Sequence, residues 1–195
     1  MQKRQLGPCV TFFPQPTTLV ASTDNFGQIN LMMASWAGIV SKSPPTMAVS
    51  LHHNRQTYAN ILETEIFSVN VVTPDFVAEA DLCGLCSGKH QDKLSLTGLK
   101  TEPAKATGAP LIVDSPLNVE CRFYKTLELG DYRLILGEIV EIYACDRAYN
   151  DNGTVDAKSF NPLVYLGGLR EYWTLGAKCA DAYSVGKTLV PHKNL

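Results

Sequence analysis

Short apolar runs divided by turn-forming residues recur along the chain, a pattern that predicts strands more than helices. Thr18–Thr23 reads as a strand, Asp24-Asn25-Phe26-Gly27 as a tight turn, and residues 28–32 as the returning strand. Pro44-Pro45 stops the next segment, and residues 47–51 form a short apolar strand. A helix follows, with Asn54 expected at its N-cap and Tyr58, Ile61 and Leu62 as an apolar stripe. Ile66–Val71 alternates as a half-buried strand. Residues 74–80 start a second helix, with proline early and acidic residues in the first turns. Residues 84–98 read as a loop rich in Gly and Lys. Long strands are expected at 118–127 and 132–143, joined through Gly130-Asp131, and the chain around Asn161-Pro162 and Gly167-Gly168 reads as loop. The expected fold is mainly β with short helices, a closed antiparallel β-barrel with α+β additions.

Composition narrows the functional classes. The 195 residues suffice for one sizeable core, so one domain over 1–195 is expected. Apolar residues at 45% and charged residues at 18% place the chain among globular proteins, away from disordered ones. A formal charge of -2 leaves no basic surplus, and neither nucleic acid nor an anionic membrane is an expected partner. Pro8, Pro14 and Pro16 interrupt any signal-peptide core behind Lys3 and Arg4. The apolar stretch 29–40 is too short to span a bilayer, and a cytoplasmic location is expected. Of the cysteines at 9, 83, 86, 121, 145 and 179, five sit in apolar or small-residue surroundings and in that compartment are expected as small buried hydrophobes, not disulfides.

Three segments carry candidate chemistry. At 51–57 a strand ends and a helix begins, so free N–H groups and the helix dipole favour an anion, which Arg55 can fork onto and Thr57 can bond. An ordinary capped helix with an exposed arginine has the same signature. Ser87-Gly88-Lys89-His90-Gln91-Asp92-Lys93 combines a hydroxyl, a glycine and two lysines, a flap able to close over phosphate, although it lacks P-loop glycine spacing. A solvated polar loop reads the same way. In the segment 30–38, Asn30, Ser35 and Trp36 interrupt an apolar run, where small residues let backbone approach a flat ligand. A buried strand with a core Trp is the plain alternative. Cys83-Gly84-Leu85-Cys86 is a Cys-x-x-Cys pair with His90 as a third ligand candidate, but no second pair follows at zinc spacing and no strand directly precedes it. His52 and His53 are expected to point different ways.

Taken together and in order, these segments resemble the flavoredoxin and flavin reductase-like family of FMN-binding split barrels. The resemblance runs over about 14–176. It rests on Pro16-Thr17-Thr18-Leu19-Val20-Ala21-Ser22, Gly27, Asn30, Ser35-Trp36-Ala37-Gly38, Ser43-Pro44-Pro45, Arg55-Gln56-Thr57 and Phe67-Ser68-Val69-Asn70. Ser87-Gly88, Asp92-Lys93, Ala109-Pro110, Glu120-Cys121, Gly130-Asp131, Gly137-Glu138-Ile139 and the run from Pro162 through Tyr165 to Gly168 continue it. The resemblance implies a homodimer with FMN near the subunit interface. It places Asn30, Met32, Ser35 and Trp36 along the isoalloxazine and ribityl region. It places Arg55, Thr57 and Ser50 at the phosphate end, with Ser87 in the flap, Lys93 at the flavin's anionic groups, and Tyr165 beside the ring from either subunit. Tyr132 departs from the histidine that many relatives carry after the Gly-Asp pair, which bears on direct NAD(P)H oxidation more than on FMN. The expected function is electron transfer through bound FMN, as a carrier between proteins or as an NAD(P)H-dependent flavin or ferric reductase. A thiol or metal module at Cys83 and Cys86 is the alternative from another class.

Overall fold

The computed structural model describes residues 2–10 and 13–189. Strands β1 (Pro14–Pro16), β2 (Thr18–Thr23), β3 (Ile29–Ala34), β4 (Ala37–Lys42) and β5 (Pro45–His52) precede helix α1 (Gln56–Thr64). Strand β6 (Ile66–Val71) leads to α2 (Val77–Leu85) and α3 (Lys93–Thr97), then to β7 (Thr101–Pro103) and β8 (Pro110–Ile112). The long pair β9 (Leu117–Leu129) and β10 (Tyr132–Ala144) follows, then α4 (Ala157–Phe160), β11 (Leu163–Leu166) and β12 (Glu171–Thr174).

A seven-stranded sheet in the order β3-β2-β6-β9-β10-β5-β4 is antiparallel at every pairing. It curls until β3 lies against β5, although the two stand near opposite ends of that order. The fold is a split β-barrel. A smaller sheet, β1-β11-β12, packs beside it, and β7-β8 forms a separate ribbon.

Strand β2 shows why these residues fold this way. It is buried on both faces, so it reads as a continuous apolar run where a half-exposed strand would alternate. Val20 faces the barrel interior with Met32, Val49, Phe67 and Ile135. Leu19 and Ala21 face outward into a second cluster with Leu31, Val72 and Phe76 and with Ala80 and Cys83 of α2. Each fully buried side chain of this size contributes about 1.5–3 kcal/mol. Gly130 takes φ +58°, the left-handed geometry that the β9–β10 hairpin requires.

The structure corrects several expectations. Helix α1 starts one residue later than expected, with Arg55 rather than Asn54 at its N-cap. The Arg55 N–H bonds His52 O at 3.0 Å, closing a turn that takes Asn54 out of the capping position. Of the expected apolar stripe, Ile61 is buried and Tyr58 half-buried, while Leu62 is exposed. The segment 84–98 is not all loop: α2 runs to Leu85, and α3 starts at Lys93 behind an Asp92 cap that accepts from the Ser95 N–H at 3.2 Å. The tail region read as loop contains the β11–β12 hairpin. His52 and His53 stack with ring centroids 4.6 Å apart, because the strand ends between them and the chain turns. Among the described residues no helix is long and apolar enough to cross a membrane.

Candidate functional site

The split between β3 and β5 opens into a cavity of about 300 Å³. Asn30 and Met32 lie along β3, and Arg55 and Thr57 stand at the start of α1. Cys86, Ser87 and Gly88 follow α2, Lys93 opens α3 and Tyr132 opens β10. Two further cavities share its walls. One, of about 140 Å³, shares Met32, His52, Arg55 and Tyr132 and adds Ser35, Trp36 and Ser50. The other, of about 330 Å³, shares Asn30, Gln56 and Gly88.

The structure therefore brings Asn30, Met32, Arg55, Thr57, Ser87 and Lys93 around one space, with Ser35, Trp36 and Ser50 in the adjoining one. Tyr165 is not in either wall. It sits on β11, paired with Gln15 of β1, with its ring 5.4 Å from that of Tyr172. Gln15 still ties this strand pair to the site, because its Oε1 accepts from the Ser35 hydroxyl at 3.3 Å.

Three features of the central cavity point to an anionic, polar ligand. First, α1 has no side-chain cap and no acidic residue in its first turn. Its leading N–H groups and the positive end of its dipole are left beside the cavity. Second, the Lys93 side chain is buried, and its ammonium donates to Leu31 O at 2.8 Å and Cys83 O at 2.6 Å. An ammonium has a third donor. No carboxylate pairs with Lys93 among the described residues. Burial holds the Lys93 ammonium below the usual lysine range; Cys83 pulls it part of the way back, and nearby Arg55 adds a smaller push down. Third, the Asn30 amide donates to Thr57 Oγ1 at 2.8 Å, but its Oδ1 is buried without a partner. A buried acceptor of this kind costs about 1–3 kcal/mol until something donates to it. Gly88 is placed against this same oxygen: a methyl group at position 88 would overlap Asn30 Oδ1.

A model of the flavin reductase-like domain matches residues 10–174. The chain belongs to the flavin reductase-like family. A flavoredoxin of Desulfovibrio vulgaris (Miyazaki F) superposes with a TM-score of 0.90 at 31% identity, covering 95% of this chain and 100% of that one. A flavoredoxin from Methanosarcina acetivorans gives 0.89 at 32% identity, covering 97% and 100%. An uncharacterized protein of Aeropyrum pernix is 29% identical over 153 residues, 78% of this chain and 57% of its own length.

Several wall residues of this flavin reductase-like chain carry no local sequence signal of a place in the wall. His52 stood in a pair that an extended strand would splay. Tyr132 was legible only as a departure from relatives; its ring lies 5.1 Å from Trp36 and 5.7 Å, edge-on, from His52. Cys86 lines the cavity, whereas Cys83 lies on the buried face of α2 and its thiol is pushed up to about 11 by burial; Cys121 is buried too, but Cys9 and Cys179 are exposed and are not the buried hydrophobes that composition suggests. At neutral pH the Cys83 thiol stays protonated and is a poor nucleophile. Among the described residues no group of three His, Cys, Asp or Glu side chains is placed to hold a metal ion.

Proposed function

We propose that this chain binds FMN in the central cavity and its Trp36-lined extension, and works as an oxidoreductase of flavoredoxin type. The observation that carries the reading is the buried Lys93 ammonium, unpaired by any carboxylate among the described residues, in the wall that also holds the uncapped end of α1. The donor set fits the cofactor's chemistry. Arg55, Thr57, Ser87 and the α1 N–H groups suit a phosphate dianion. Asn30 Oδ1 suits a ribityl hydroxyl or a ring N–H. Met32, Trp36 and Tyr132 offer an apolar and aromatic bed for a tricyclic ring, with Ser35 and Ser50 at its margin.

FMN supplies electron and hydride acceptance at its ring. The protein's part is to hold that ring, limit water around it and set the local charge. Lys93 holds its proton beside the cofactor and stabilises negative charge there. Tyr132 packs over the Trp36 side of the site, where the resemblance expects histidine, and this favours exchange of electrons with a protein over direct NAD(P)H oxidation. A homodimer would bring a second copy over this opening. The exposed apolar residues Ile39, Val40, Leu169 and Trp173 support that assembly. A second copy is also the route by which Tyr165 would reach the ring.

The test is a visible absorption spectrum of the purified protein, followed by anaerobic NADH and NADPH in the same cuvette. A flavin spectrum that persists with both nucleotides is the expected result. Rapid bleaching by either assigns a reductase, and a protein that stays colourless after incubation with FMN contradicts the flavin reading.

A further inference from the structure

Strand β5 ends at His52, and His53 begins the turn that leads to α1. Opposite hydrogen bonds hold the two rings. His52 Nδ1 accepts from the Asn54 N–H at 3.2 Å. A ring nitrogen that accepts carries no proton, so the proton of His52 sits on Nε2. His53 Nδ1 lies 2.9 Å from Asp131 O, an oxygen that can only accept, so His53 carries its proton on Nδ1. The His53 backbone N–H donates to the same oxygen at 3.0 Å, which clamps this residue to the β9–β10 hairpin.

The sheet aims His52 at the site. Residues two apart on a strand share a face, so Ser50 and His52 stand together while Val49 and Leu51 fill the barrel. Directly across the ladder His52 pairs with Tyr132, which shares that face. The Tyr132 ring meets the imidazole edge-on at 5.7 Å, and the His53 ring stacks on it at 4.6 Å. His52 is half-buried and lines both the central cavity and its Trp36-lined extension. Among the described residues its Nε2 has no hydrogen-bond partner, and no carboxylate lines either cavity. His52 therefore presents a fixed N–H donor where the two cavities meet.

We propose that His52 senses the redox state of the flavin: its Nε2–H donates to the bound ring and favours the reduced form over the oxidised one. A reduced ring carries more negative charge, and a hydrogen bond to the more negative form favours that form. The Asn54 bond and the two ring contacts hold the donor in place before the ligand arrives. The proposal rests on the FMN reading, which puts the ring in this part of the site.

Two measurements test it. Proton–nitrogen NMR correlation spectra of nitrogen-labelled, ligand-free protein report the tautomers with no flavin present. At mildly alkaline pH, where imidazoles are neutral, the proton is expected on Nε2 of His52 and on Nδ1 of His53. A proton on Nδ1 of His52 overturns the proposal. The second measurement is the midpoint potential of bound FMN in wild type, His52→Phe and His52→Gln. Phenylalanine keeps a ring without a donor, and glutamine keeps a donor without a ring. His52→Phe is expected to lose about tenfold in preference for reduced over oxidised FMN, which lowers the potential by about 30 mV for a two-electron couple. His52→Gln is expected to stay within about threefold of wild type in that preference, and oxidised FMN should bind all three proteins within about threefold. A phenylalanine variant with the wild-type potential overturns the proposal, as does a glutamine variant that falls as far as the phenylalanine one. Wild type that binds no FMN removes the flavin reading itself, and this proposal with it, whichever tautomer His52 holds.

Discussion

At the scale of single residues, Lys93 joins two opposing effects. Its buried charge disfavours folding and favours an anionic ligand. Burial lowers its pKa in the folded, ligand-free protein. Between that lowered value and the ordinary lysine value, the unfolded chain binds the proton and the folded one does not. Stability without cofactor therefore rises with pH across this window. A bound anion pulls the proton back, so FMN affinity should fall as pH rises through the lowered value. Lys93→Met should weaken FMN by about ten- to a hundredfold and flatten that alkaline decline, as measured by flavin fluorescence titration. Its ligand-free stability in urea should change little, because relief of a buried charge without a carboxylate partner is offset by the loss of the donor to Leu31 O and Cys83 O. Gly137 makes a purely structural case. A methyl group there would lie 2.5 Å from the Phe67 ring and 3.1 Å from Cys121 Cβ. Gly137→Ala should destabilise the fold by about 1–3 kcal/mol in urea unfolding.

At the scale of elements, the entry to α1 shows what the sequence carried and what it did not. The anion-binding character of 51–57 was legible, because strand-to-helix junctions expose N–H groups whatever the cap. The missing cap was not. Asn54 is a good capping residue by type, and only the turn bonding Arg55 N–H to His52 O displaces it. Arg55→Ser should therefore supply the absent cap. It is expected to stabilise the ligand-free protein by about 1 kcal/mol in chemical denaturation while weakening FMN. A loss of stability with FMN affinity unchanged would remove α1 from the site. The 84–98 segment taught a related lesson. Its Gly and Lys content reads as loop, yet Asp92 caps α3 and directs Lys93 inward onto Leu31 O and Cys83 O. Local patterning sets the bounds of Thr18–Thr23 and Ile66–Val71, but Ile66–Val71 is not half-buried as its alternation suggests: both faces are enclosed, because Ser68 and Asn70 are buried donors to Pro110 O and Leu19 O. The β11–β12 hairpin has no comparable local signal: it is pinned from a distance, by the Tyr172 hydroxyl donating to Asp81 on α2 at 2.6 Å.

At the scale of the whole molecule, the barrel order fixes the site more firmly than any motif does. Sequence reading grouped Asn30, Arg55 and Lys93 only through resemblance, since nothing local relates residues so far apart. The curl of the sheet supplies the physical cause by bringing β3 against β5, with α1 and α3 flanking the gap. Tyr165 is the residue that one copy of the chain does not bring to the cavity. Together with the exposed Trp173 beside it on β12, it makes assembly the next question. Analytical ultracentrifugation should give the mass of two chains, and Trp173→Glu should shift the protein toward monomer with weaker FMN retention. A wild-type monomer that holds FMN equally well would confine the site to one chain.

The most direct test of the account is equilibrium titration of flavin-free protein with FMN, wild type against Lys93→Met. Saturation at one FMN per chain is expected in wild type, with about ten- to a hundredfold weaker binding in a variant that remains folded. Absence of saturable binding in wild type, or equal affinity in the two proteins, would contradict it.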